Sequence, residues 1–197
     1  MFDKTIEKKL EFIHENLIQI SKECIEIREK SKTGEVKLDI NIKNWCICFN
    51  DLDKNILPYI NIKNCADYII FEKTENLSWI LHIIECKRTV KNKEWSHIKE
   101  QFKGAFLNAL AISGYLGINI DMNNIKLYTA LRNDKLSEYL KANPIELKSQ
   151  VGRLSENNDM FEWQEGEVIL ETFNKINCKH EKIQLNVNDG TGSYSIP

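Results

Sequence analysis

The sequence predicts an α/β fold: a mixed central sheet flanked by helices over about residues 1–131, with a C-terminal extension over 132–197, all in one domain. Three observations predict it. Short runs rich in β-branched and aromatic residues, bounded by polar ones, lie near 36–49, 66–71, 79–86 and 125–131 and read as strands. Residues 94–116 place Trp95, Ile98, Phe102, Phe106, Ala109 and Ile112 at helical spacing. The chain has 197 residues, 42% of them hydrophobic, which is enough to bury a sizeable core.

Taken in order, residues 3–31 read as one long helix, because Ile6, Leu10, Ile13, Leu17, Ile20, Cys24 and Ile27 alternate spacings of four and three. Such a seam suits a helix laid on a sheet; a coiled-coil dimer contact is the alternative reading. Glutamates at 7, 11, 15, 23, 26 and 29 line the other faces, and Gly34 is placed to terminate the helix. Val36, Leu38, Ile40 and Ile42 then alternate with polar residues as a half-buried strand, and Trp45 to Phe49 returns as a more buried one. Residues 50–64 form a polar connection in which Asp51 and Asp53 have local capping roles.

Next come two apolar runs, 67–71 and 79–87, joined by a polar turn. The second is apolar on both faces until Glu85, the pattern of a central strand covered on both sides. Asn92 is placed to cap the 94–116 helix, which carries a second, polar stripe of His97, Gln101, Gly104 and Asn108. After the 125–131 strand, residues 134–141 read as a short helix stopped before Pro144. Residues 150–166 look loop-like, 168–176 suit helix or strand, 182–187 read as a strand, and Asp189-Gly190 as a turn.

Composition narrows the function. The net charge is −2, so a nucleic-acid partner would have to be met by a local patch. The N-terminus has no apolar core or cleavage pattern, so no signal peptide is expected, and no apolar run approaches a membrane span. Six cysteines in such a chain are expected to be buried, reduced thiols in a cytoplasmic protein.

The chemistry concentrates on 67–87. If the two runs form an antiparallel hairpin, Asp67 at the start of one strand lies beside Glu85 at the end of the other. Glu85 and Lys87 share a strand face, and Cys86 points into the opposite layer. Two close carboxylates can share a hard divalent cation, which polarises a phosphodiester and activates water. A lysine on the same face can orient that water or neutralise developing charge.

Asp67 followed by Glu85-Cys86-Lys87 resembles the motif of the PD-(D/E)xK nuclease superfamily, with its restriction-endonuclease-like αβββαβ core. Ala66 stands where the family name has proline. The resemblance covers about residues 1–131. It implies a Mg²⁺- or Mn²⁺-dependent nuclease, endonuclease more than exonuclease and on DNA more than RNA, with a role in bacterial defence against foreign DNA. It implies Asp67 and Glu85 as metal ligands, the backbone carbonyl of Cys86 as a further one, Lys87 as the catalytic lysine, and Gln101 as the helix glutamine near the active site. It also implies a glutamate from the first helix in the metal site, for which Glu11, Glu15, Glu23 and Glu26 are all candidates, and a homodimer or a subunit of a larger complex.

Beside the motif, Lys87, Arg88, Lys91, Lys93, Lys99 and Lys103 against Glu94 and Glu100 give a local excess of +4. That is a nucleic-acid surface if it lies next to the site, with His97 either a contact or a solvated helix residue, and otherwise an ordinary solvated face. His82, inside an apolar strand, reads as a hydrogen-bonded core residue. Two other classes stay open: a non-catalytic binding subunit on the same fold, and an interaction protein in which the motif is coincidental.

Overall fold

The computed structural model describes residues 2–31, 34–50, 52, 64–75, 78–142 and 159–196. Along them run α1 (Lys4–Leu10), β1 (Ile18–Ser21), β2 (Cys24–Ser31), β3 (Gly34–Asn41), β4 (Cys46–Asn50), β5 (Tyr68–Lys73) and β6 (Trp79–Val90). They are followed by α2 (Asn92–Leu116), β7 (Ile120–Asp134), α3 (Lys135–Ala142), α4 (Asp159–Glu165), β8 (Glu167–Glu171), β9 (Lys175–Gln184) and β10 (Thr191–Ser195). Asp51, Asp53 and Pro144 lie outside the described residues.

Seven strands form a mixed sheet in the order β1-β4-β5-β6-β7-β9-β8. Its middle strand, β6, pairs antiparallel with β5 and parallel with β7. A parallel step needs a crossover, and α2 supplies it. Alternation along β6 divides its side chains between two cores. Leu81 and Ile83 pack in one core with Trp95, Ile98 and Phe102 of α2. Ile84 and Cys86 belong to the other, which a second sheet closes, in the order β10-β3-β2, with Ile25, Ile27, Leu38 and Ile40 fully buried. Helices on one face and a small sheet on the other explain why 79–86 is apolar on both sides.

The helix predicted over 3–31 is corrected: only Lys4–Leu10 is α-helical, and residues 18–21 and 24–31 are strands. The seam of fours and threes skipped Ile18 and Ile25. With them the apolar residues fall at period two, 18 and 20 in β1, 25 and 27 in β2, and isoleucine favours strand over helix. The polar partners Glu26, Arg28 and Lys30 are exposed. Nor does Gly34 end a helix: it opens β3 and pairs with Ser31 in the β2–β3 hairpin.

Beyond the predicted core, part of the 150–166 region is helical (α4), and the ambiguous 168–176 stretch is β8 plus the start of β9. Strand β9 begins at Lys175, well before the predicted 182, because its buried row of Ile176, Cys178, His180 and Ile183 contains two residues that do not look apolar. Cys46, Cys48, Cys65, Cys86 and Cys178 are buried and Cys24 is partly so, all of them free thiols. Among the described residues, no helix is long and apolar enough to cross a membrane.

Gly166, at φ 73°, turns α4 into β8, and a Cβ there would lie 2.7 Å from the His180 carbonyl oxygen. Gly166→Ala is expected to lower stability by more than about 1 kcal/mol, from the positive φ and the collision together, read as a shift in urea midpoint at unchanged slope.

Candidate active site

The β5–β6 ladder ends at Tyr68 opposite Ile84, so Asp67 and Glu85 are the next residues beyond the last pair. Their carboxylates continue the ladder in place of backbone carbonyls. The Asp67 N–H donates to Glu85 Oε2 at 3.3 Å, and the Cys86 N–H donates to Asp67 Oδ2 at 2.7 Å. Each acid is therefore held by the strand that carries the other. Glu85 Oε1 accepts from Lys87 Nζ. Cys86 lies in the opposite core, as the two-residue alternation requires, and burial drives its thiol well above the ordinary range.

Glu85 is completely buried, Lys87 partly exposed. Burial is the main reason the Glu85 carboxyl is pushed up to about 8, and the neighbouring Asp67 charge adds to it, against the opposing pull of Lys87. A buried acid next to a second acid resists ionisation unless a cation compensates it.

Helix α2 positions the pair from the side. The Ala66 N–H donates to the Gln101 carbonyl at 3.1 Å, and Gln101 Nε2 donates to the Cys65 carbonyl at 3.4 Å. Asn108 Nδ2 donates to Cys65 Sγ at 3.4 Å. The polar stripe of α2 is thus the seat for the segment that delivers Asp67. Gln101 Oε1 remains buried without a hydrogen-bond partner.

Asp67, Glu85, Lys87, Arg88 and Gln101 line one cavity of about 290 Å³, with room for a phosphate group and a hydrated cation but little more. Its other wall comes from residues that the sequence did not single out for the site: Glu29 of β2, Glu35 of β3 and Arg132 of β7. Glu29 continues the inward row of Ile25 and Ile27 and pairs in register with Val36. A charge in an otherwise apolar row was the available signal, hidden by the helical assignment. The four candidate first-helix glutamates lie elsewhere: Glu11, Glu15, Glu23 and Glu26 are exposed and outside the cavity, Glu26 being paired with Arg28 at 2.7 Å.

The basic run does not form one patch. At about 100° per residue, Lys99 and Lys103 lie roughly 160° and 200° around α2 from Gln101. Lys99 pairs with Glu162 of α4 at 2.7 Å, a link between α2 and the C-terminal part. His97 is exposed one turn before Gln101 on the same side, and Lys91 and Lys93 are exposed at the helix start. Lys91 is the N-cap, one residue earlier than expected, and makes no side-chain cap bond. Arg88 alone of the basic candidates beyond Lys87 borders the cavity.

His82 is fully buried between Glu72, 3.0 Å from its Nε2, and the Tyr128 hydroxyl, 3.3 Å from its Nδ1. Burial is the main reason its pKa is lowered, although Glu72 pulls the other way. It is a core residue on the face away from Glu85.

Among the described residues, no three histidine, cysteine or acidic side chains gather so as to hold a metal ion by themselves. The Asp67–Glu85 pair fits a cation that takes one or two carboxylates and fills its other positions with water and substrate oxygens. The unpartnered amide oxygen of Gln101 and the reluctance of Glu85 to ionise alone both suit such a guest. Compared with protein-family models, curated proteins and solved structures, the chain finds no match in any of the three.

Proposed function

We propose that the chain is a divalent-metal-dependent nuclease of the PD-(D/E)xK type, acting on DNA. The observation that carries this reading is the carboxylate pair at the adjoining ends of β5 and β6, with Lys87 on the same strand face, in a cavity with room for a phosphate and a hydrated cation. The order of elements supports it: strands β4, β5 and β6 in a row, the α2 crossover, then β7 parallel to β6. Mg²⁺ or Mn²⁺ held by Asp67, Glu85 and the Cys86 carbonyl would supply charge at a phosphodiester oxygen and lower the pKa of bound water.

The chain's own residues do the rest. Glu85, ionised, provides the compensating charge and fixes the Asp67 backbone. Asp67 stays in place through the Cys86 amide. Lys87 is tethered to Glu85 and partly open to solvent, within reach of an incoming phosphate, where its ammonium offsets the negative charge that grows in the transition state. Gln101 locks the approach to Asp67 against α2.

The test is purified protein with supercoiled plasmid, linear duplex, single-stranded DNA and RNA in Mg²⁺, Mn²⁺ or EDTA. Expected is DNA cleavage in metal that EDTA abolishes. Tight DNA binding with no turnover in either metal would replace the nuclease by a non-catalytic binding subunit. Neither binding nor turnover would leave the motif without a function.

A further inference from the structure

Arg132 lies two residues before the end of β7, beside the cavity, and is only 7% exposed. Its hydrogen-bond acceptors among the described residues are all neutral carbonyls: Nη2 donates to those of Glu35 and Asp189, and Nη1 to that of Asn188 at 3.5 Å. Its Nε is buried with no acceptor. Among the described residues no carboxylate forms a salt bridge with it, for Glu35 directs its own carboxylate to Lys37, 3.4 Å away. The Asp189 carboxylate is close enough to feel its charge, yet no carboxylate among the described residues bonds it directly, and a buried guanidinium held only by carbonyls keeps capacity for an anion.

The seat is built for this side chain. Gly190, at φ 74°, closes the turn after β9, and a Cβ there would collide with Arg132 Nε and Nη2 and with the Glu35 carbonyl. Arg132 is also the residue shared by two openings. One is the 290 Å³ cavity of Asp67, Glu85 and Lys87. The other is a cleft of about 880 Å³ between α3 and the ends of β7 and β9, lined by Asn133, Lys141, Gln164, Lys182 and Asn186 among others. Two acids line that cleft, Asp134 and Glu138, against Arg132, Lys141 and Lys182, and Asp134 is already occupied, accepting from the Ser137 N–H at 2.9 Å and Trp163 Nε1 at 3.1 Å.

We propose that Arg132 binds a phosphate of the nucleic-acid strand next to the one at Asp67 and Glu85, and leads that strand into the cleft between α3 and β9. This rests on the nuclease reading of the neighbouring cavity. The planar guanidinium suits phosphate oxygens, and amide side chains in the cleft offer donors and acceptors to sugars and base edges. The C-terminal part of the chain thereby becomes the substrate-holding half of the molecule.

The experiment is fluorescence anisotropy in EDTA, where no cleavage occurs, with a labelled single-stranded 16-mer oligodeoxynucleotide, its duplex, and inorganic phosphate as competitor. Wild type, Arg132→Gln, Arg132→Lys and Lys141→Glu are compared at several salt concentrations, together with KM and kcat on plasmid in Mg²⁺. Arg132→Gln is expected to weaken oligonucleotide binding about tenfold or more and to reduce the salt slope by about 1. Because Arg132 also ties three carbonyls, its loss could disturb the fold; Lys141, exposed on α3, is the control that keeps the test open. Lys141→Glu should melt normally, weaken binding several-fold and raise KM with kcat near native. A native dissociation constant and salt slope for folded Lys141→Glu overturns the strand path. Inorganic phosphate competing as strongly per molecule as the 16-mer overturns it too, in favour of a free-phosphate site. Plasmid cleavage with native KM in both Arg132→Gln and Lys141→Glu sinks this inference and leaves the nuclease standing. Arg132-dependent oligonucleotide binding without turnover does the reverse.

Discussion

Lys87→Ala is expected to cleave DNA about 10²–10³-fold more slowly than wild type while binding the activating metal at least as tightly. The lysine is no ligand for Mg²⁺, so its loss removes charge from the transition state and not from the metal site. It also donates to Glu85 Oε1, an oxygen for which an ammonium and a metal ion would compete. Removing it frees that oxygen. Glu85→Gln and Asp67→Asn should behave differently, losing metal affinity and activity together. Isothermal titration with Mn²⁺ beside single-turnover cleavage separates the two patterns. Cys86→Ser, altering a side chain buried in the opposite core, should retain cleavage and lose only stability. If Lys87→Ala cleaves at the native rate, the lysine has no part in the chemistry and the nuclease reading loses its main support.

The second large effect is on pH dependence. Glu85 titrates near 4.5 when exposed and is pushed up to about 8 in the fold, chiefly by burial. Between those values the folded state holds a proton that the unfolded chain has lost. Stability from this group is complete below pH 4.5, declines as pH rises, and is gone above about 8. At about 1.4 kcal/mol per unit, the swing is on the order of 5 kcal/mol without divalent metal. Urea unfolding in EDTA at pH 5, 6, 7, 8 and 9 should show it, and Glu85→Gln should flatten most of the curve. Divalent metal should restore stability mainly at the alkaline end, where the carboxylate is already bare. A metal-free stability that rises from pH 5 to 8 would mean that Glu85 ionises in the fold as easily as in water.

How much of this could be read beforehand depended on how far each feature stood from its partners in the chain. The β5–β6 hairpin was legible because 67–71 and 79–87 are close in sequence, strongly β-branched and broken by a polar turn. Its antiparallel pairing alone places Asp67 by Glu85, and alternation sends Cys86 the other way. The α2 crossover was legible from a 25-residue amphipathic stretch. Residues 18–31 misled because isoleucines at 18, 20, 25 and 27 admit a helical and an alternating reading, and only pairing with residues 34–41 and 46–49 decides between them. The basic run looked like one surface because neighbours in sequence were treated as neighbours in space, whereas a helix turns Lys99 and Lys103 away from Gln101. Arg132 and Glu35 had no local signature, and that of Glu29, a charge ending an apolar row, appears only once 24–31 is taken as a strand. Their importance comes from a small sheet that assembles from distant parts of the chain.

That small sheet pairs Tyr194 with Ile40 and Ser195 with Asn41, contacts that close a loop of about 150 residues. Such non-local pairing is slow to form, and it cannot form until β10 exists. At the usual pace of synthesis, about 5–20 residues per second, the stretch from Lys87 to Gly190 takes roughly 5–20 s to emerge. Throughout that interval a nascent chain already carries Asp67, Glu85 and Lys87, but the Asn188–Gly190 turn that seats Arg132 has not been made. The order of translation thus puts the seat of Arg132 in place only after β9 has been made, well behind the Asp67–Glu85 pair that shares its cavity.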